Sequence, residues 1–118
     1  MDSQPEEGGM PIEILDGKSW EDFLSTGTAL LMLGKTTCVA CNEWTSELDG
    51  WESTHPQLKV AKILLDQPGL GRFKIAHPWV AEVDMLPLNV LFIEGEIIKQ
   101  WAGGGTSRLE NRLTRLIG

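Results

Sequence analysis

The sequence predicts one α/β domain in which a mixed five-stranded sheet lies between two layers of helices. Three observations carry this. Segments with the apolar pattern of strands alternate with segments of helical spacing, in the order βαβαβαββα. The one break in that alternation, Leu88–Ile93 and Ile97–Trp101 around Glu94-Gly95-Glu96, is a tight hairpin signal, so its two strands run antiparallel. Finally, the run Ala29-Leu30-Leu31-Met32-Leu33 is apolar on both faces, as a central strand must be, and hands over directly to a helix at Thr36–Cys41. With 118 residues, the chain can bury a core without help from a metal or a disulfide.

Residues 1–10 read as a disordered leader and 11–118 as the folded domain. The leader carries Asp2, Glu6 and Glu7 and lacks both the basic start and the apolar centre of a secretion signal, which points to the cytoplasm. Pro11–Leu15 alternates as a short first strand, ended by Asp16-Gly17. Ser19 is expected to cap a helix of Trp20, Phe23 and Leu24, stopped at Gly27. Thr28–Leu33 is the central strand. After it Thr37 is the expected N-cap of a helix opened by Cys38 and running past Trp44 and Leu48 toward Gly50. Leu58–Leu65 forms the next strand, terminated by Asp66-Gln67-Pro68-Gly69. Across Leu70–Asp84, Phe73, Ile75 and Ala76 give one helix, broken near His77 because Pro78 cannot continue it. Past the hairpin, Gly103-Gly104-Gly105 leads into a last helix with Ser107 and Glu110 as a capping box. Its apolar stripe, Leu109, Leu113, Leu116 and Ile117, docks on the sheet.

A formal net charge of -7 and a pI near 4.7, with no cluster of Lys and Arg, exclude a phosphate-binding surface and so a nucleic-acid partner. No apolar run approaches the roughly 20 residues of a membrane helix. The chain is expected to be soluble, without membrane association.

Chemistry concentrates in Cys38 and Cys41, the chain's two cysteines. At i and i+3 of a helix their sulfurs share one face and can join or part without moving the backbone. A bridge closing so small a loop is a poor staple, because the chain-entropy gain grows with loop length. That leaves a redox pair or a metal site. A structural zinc needs four ligands, and neither His55 nor His77 has ligand spacing to the cysteines. His55, beside Pro56, reads as a surface residue and His77 as a chain break, so no metal is expected. Cys38 sits at the positive end of the helix, where unpaired N–H groups favour a thiolate, and Lys35 is close enough in sequence to help.

Cys38-Val39-Ala40-Cys41 at a strand-to-helix turn, Val60-Ala61-Lys62 running into Asp66-Gln67, and Leu86-Pro87 before Val90-Leu91-Phe92-Ile93-Glu94-Gly95-Glu96 together resemble the thioredoxin family over nearly all of 12–118. The resemblance implies a sheet in the order 1-3-2-4-5 flanked by four helices, with Cys38 as the attacking thiol and Cys41 as the resolving one. It also implies that Pro87 is cis and faces Cys38, and that the backbone of Leu86 pairs with an extended substrate. The implied function is reduction of protein disulfides by a monomer without a cofactor of its own. Thioredoxin reductase or glutathione would supply the electrons.

This chain departs from the family pattern at several positions. Thr37 stands where a tryptophan is usual, and Val39-Ala40 replaces Gly-Pro. Met32 replaces a buried aspartate, which leaves Lys62 without its usual neighbour. The stretch between Asp66 and Pro87 is longer. These departures favour a specialised reductase with few partners, and the absence of a histidine between the cysteines favours a reducing poise. The alternative reading is a binding module without enzymatic activity that uses the apolar rim of Trp79, Met85 and Leu86.

Overall fold

The structure, a computed structural model, describes residues 12–51 and 55–117. The leader 1–10 and Pro11 lie outside the described residues. The elements are β1 (Glu13–Ile14), α1 (Trp20–Ser25), β2 (Thr28–Gly34), α2 (Val39–Asp49), β3 (Leu58–Leu64), α3 (Gly71–Ala76), β4 (Leu88–Ile93), β5 (Glu96–Ala102) and α4 (Thr106–Ile117), with a 3-10 turn over Pro78–Glu82. The sheet order is β1-β3-β2-β4-β5, as expected. β2 runs parallel to β3 and antiparallel to β4, so the sheet is mixed about its central strand.

The apolar run in β2 is explained by its place. Ala29 to Leu33 are each 0% exposed, because helices cover both faces of the strand. Alternate residues face opposite sides. Leu31 and Leu33 join Phe73, Val90 and Phe92 under α1 and α3, whereas Leu30 and Met32 join Trp44, Leu48, Leu91, Leu109 and Leu113 under α2 and α4. Leu116 and Ile117 pack half-buried on the second cluster, so the stripe on α4 docks as expected. α1 is closed at its far end by Lys59, whose ammonium donates to the carbonyls of Phe23 and Thr26 at 2.6 and 2.8 Å. The hairpin turn is two residues, Glu94 (φ 50°) and Gly95 (φ 87°), between paired Ile93 and Glu96. Two left-handed residues match the right-handed twist of the flanking strands.

Local details differ from the sequence reading where side chains compete for the same backbone groups. Among the described residues strand β1 is Glu13–Ile14, the two that pair in register with β3, and Leu15 adds one bond from its N–H to the Lys62 carbonyl at 2.9 Å. Ser19 occupies the N-cap position of α1 as expected, but its hydroxyl makes no cap bond to the helix. It accepts from the Asp16 N–H, and the Asp16 carboxylate accepts from the N–H of Lys18 and Ser19 at 2.9 Å in the turn before the helix. The Ser19 and Lys18 contacts hold the Asp16 carboxyl below its ordinary range, the Lys18 N–H being the largest cause. In α4, Ser107 lies inside the helix and forms no box. The Glu110 carboxylate instead accepts from the Trp51 indole at 2.9 Å. His55 is not a surface residue: it is 7% exposed, with Nδ1 4.0 Å from Glu110. The expected break at His77 is present, its backbone N–H closing α3 onto Phe73 at 2.9 Å before Pro78 starts the 3-10 turn.

Candidate active site

Parallel pairing of β2 with β3 carries the two strands to a common edge, with Gly34 opposite Leu64. The antiparallel neighbour β4 begins at that edge, Leu88 opposite Leu33, so Pro87 enters where β2 leaves. Cys38, Cys41 and Pro87 are thereby gathered at one end of the sheet.

Helix α2 starts one residue later than expected, and Cys38 rather than Thr37 is its N-cap. The reason is chemical. The Cys38 sulfur itself accepts the Cys41 N–H at 3.1 Å, the bond that a Thr37 hydroxyl would otherwise have to supply from a residue further away. Cys38 and Cys41 form a disulfide with Cα atoms 5.2 Å apart. Cys38 is half-buried and Cys41 is 2% exposed, so only the first sulfur is reachable from solvent. When the pair is reduced, the N–H aimed at Cys38 and the open helix end behind it stabilise negative charge on that sulfur.

Before the cysteines, the loop is tied to the end of β3. Thr36 and Asp66 lie two residues past the paired Gly34 and Leu64. The Asp66 carboxylate accepts from both the backbone N–H and the hydroxyl of Thr36. These bonds, the hydroxyl foremost, hold the Asp66 carboxyl below its ordinary value, with a smaller contribution from the charge of Lys35. Lys35 is exposed, and its carbonyl accepts the Cys38 N–H at 3.1 Å.

Behind the cysteines, α2 is tied to the other side of the edge. Asn89, 0% exposed, accepts the Trp44 indole N–H at 2.8 Å and donates to the carbonyls of Trp101 and Gly103 at 3.2 and 2.8 Å. The Gly103 N–H in turn donates to the Pro87 carbonyl at 2.9 Å. Gly104 lies flat against Trp44; a Cβ there would sit 3.0 Å from the ring. The Leu86–Pro87 bond is cis, Pro87 is buried, and the backbone of Leu86 makes no hydrogen bond to another described residue.

Met32 is fully buried, as is Cys41 but for 2%. Both sulfurs line the space beside Gly34, where an added Cβ would lie 3.2 Å from Cys41 Sγ and 3.3 Å from Met32 Sδ. Methionine brings no titrating group there. Lys62, paired with Met32 in register, does not reach for solvent; its ammonium donates to the Thr45 hydroxyl at 3.2 Å, which donates to the Cys41 carbonyl at 2.8 Å. Among the described residues no group of His, Cys, Asp and Glu could hold a metal ion.

Thr36, Asp66, Trp44, Asn89 and the Gly103–Gly104 turn escape the sequence reading as site residues. Two signals were available. Asn89 is the one polar residue of the strand Leu88–Ile93, and a buried amide needs partners. Asp66 ends the strand parallel to the one that leads into the cysteines.

No protein-family model and no curated protein sequence matches the chain. Solved structures do. Thioredoxin O2 from Arabidopsis thaliana in its oxidized state superposes with a TM-score of 0.71 at 16% identity, over 92% of this chain and 96% of that one. Mitochondrial thioredoxin 3 from Saccharomyces cerevisiae gives 0.68 at 19% identity, over 89% and 95%. Thioredoxin NaTrxh from Nicotiana alata gives 0.70 at 15% identity, over 97% and 98%. The chain has the thioredoxin fold, with a disulfide-forming Cys38–Cys41 pair at the mouth of its second helix.

Proposed function

We propose that this chain is a thiol–disulfide oxidoreductase that reduces protein disulfides, with Cys38 attacking and Cys41 resolving. The observation that carries the reading is the asymmetry of the pair. One sulfur is half-exposed and held by a helix N–H, and the other is buried one turn behind it. In the reduced chain, the Cys38 thiolate attacks one sulfur of the target disulfide. That S–S bond breaks, the displaced target sulfur takes up a proton, and a mixed disulfide remains. Cys41 loses its proton and attacks Cys38 Sγ, releasing the second target thiol and leaving the Cys38–Cys41 disulfide. The target gains two electrons and two protons. A thioredoxin reductase or glutathione resets the pair.

In this reading Pro87, which has no N–H to compete for the Cys38 sulfur, faces the cysteines from the same sheet edge, and the backbone of Leu86, which bonds to no other described residue, offers an extended substrate a strand partner. Lys35 supplies positive charge beside the mouth of α2. The test is reduction of insulin or of a small disulfide by wild type, Cys38→Ser and Cys41→Ser. Cys38→Ser loses turnover, and Cys41→Ser accumulates a mixed disulfide with the target. Equal residual activity in the two variants contradicts the assignment, and no activity in wild type favours a binding module.

A further inference from the structure

An open groove of about 310 Å³ lies beside the loop that ends in Leu86–Pro87. Trp79, Val83, Leu88 and Ala102 give it an apolar lining, together with Gln100 and the carboxylates of Glu82 and Asp84. Leu88 packs on the α1 and α3 side of the sheet and is paired with Ala102, so the groove opens on the face away from α2. It plays no part in the sulfur chemistry above. Met85, which also lines it, is 64% exposed and adds an adaptable apolar surface to the groove. Both carboxylates are exposed, and neither makes an ion pair or hydrogen bond with another described residue.

We propose that this groove receives an arginine or lysine of the protein substrate, about two residues from the target cysteine. The proposal rests on the disulfide-reductase reading and names the substrates it prefers. The chemistry is complementary: an aliphatic stem covers Leu88 and Met85, and the cation reaches Glu82 and Asp84 and can lie on the Trp79 ring. An acidic side chain is repelled there, and a purely apolar one strips water from two carboxylates without replacing it. The spacing follows from strand geometry. An extended substrate rises about 3.3 Å per residue. Met85 is two residues from Pro87, so a substrate paired along Leu86 brings a side chain about two positions from its cysteine to the groove. The chain's own N-terminal segment is a poor occupant, because residues 1–9 carry three carboxylates and no Lys or Arg. A second copy, with the same formal charge of -7, is repelled as well.

The experiment compares disulfide-linked peptides identical except for Arg, Gln or Glu two residues on either side of the cysteine. Wild type reduces the Arg peptide with kcat/KM about fivefold above the Gln peptide, the scale of two exposed ion pairs, and the Glu peptide falls lower still. High salt narrows the gap. The Glu82→Gln/Asp84→Asn variant loses the ranking while reducing a small disulfide at the wild-type rate. No preference in wild type, or one that survives in the variant, overturns the proposal. A second measurement is independent of turnover: a Cys→Ser version of the Arg peptide is titrated into the oxidized protein while backbone and indole 15N shifts are followed. Perturbation centred on Trp79, Met85 and Ala102 supports the groove. Shifts elsewhere, or concentration-dependent shifts at the groove without peptide, overturn it. If wild type reduces no disulfide at all, the function proposed above fails, and this titration still decides the groove.

Discussion

Two polar anchors flank the cysteines, and they are built oppositely. Thr36–Asp66 holds the loop before Cys38 with a solvent-exposed carboxylate. Trp44–Asn89–Gly103 holds α2 after Cys41 with a neutral amide that water does not reach. In water each lost hydrogen bond is largely replaced, and its net worth is small. In the interior nothing replaces it, and the orphaned partner bears the desolvation cost. The first anchor is therefore weak and is lost in acid. The second fixes the positions of α2, the Pro87 carbonyl and the Gly103 turn relative to one another.

The largest expected effect is on the buried side. Asn89→Ala orphans the Trp44 N–H and two carbonyls, and costs about 3 kcal/mol in urea unfolding. A loss below about 1 kcal/mol would mean that water enters and the contrast does not hold. Trp44→Phe leaves only the Asn89 oxygen without its donor and costs about 2 kcal/mol. Combining Trp44→Phe with Asn89→Leu removes both ends of that bond, so the double variant loses less than the sum of the singles; strict additivity would break the network. Gly104→Ala pushes a methyl to 3.0 Å of the Trp44 ring and costs about 1 kcal/mol, read as a lower unfolding midpoint with an unchanged m-value.

The smallest effect is on the exposed side and shows itself in pH. The folded-state carboxyl of Asp66 lies below its ordinary 3.8. Its contribution to stability is complete above that ordinary value and is lost as pH falls through the depressed folded one. Asp66→Asn thus lowers the unfolding midpoint slightly near pH 7, by the small worth of an exposed contact, and the variant and wild type converge as pH falls below 4, which flattens the acid limb of the variant. Asp16, lowered in the same direction, adds to the same window, and Asp16→Asn/Asp66→Asn flattens it further. An unchanged acid limb in both variants would show that the clamp is not formed by an ionised carboxylate.

How legible each anchor is in the sequence follows from the same physics. Strands β2, β4 and β5 and the break at His77 could be read because burial on two faces, a two-residue turn and a proline each leave a local mark. The cap expected at Thr37 moved one residue to Cys38, and the bonds expected of Ser19 are made by Asp16 three residues before it, because Ser, Thr, Asp and a thiol compete for the same few N–H groups and the winner depends on loop geometry. His55 could not be read at all: it is buried, and Glu110, the partner 4.0 Å from its ring, lies on α4, more than fifty residues away.

Read alone, the residues determined the order of elements, the antiparallel hairpin, the central strand and the paired sulfurs at a helix mouth, since these depend on periodicity and spacing within about ten residues. Only the tertiary structure decided which amide joins three segments, where the Lys62 ammonium turns, and that a groove lies beside the Leu86–Pro87 loop. Those outcomes depend on strand register. Register brings Gly34 beside Leu64 and Leu33 beside Leu88, and with them every distant residue that the site requires.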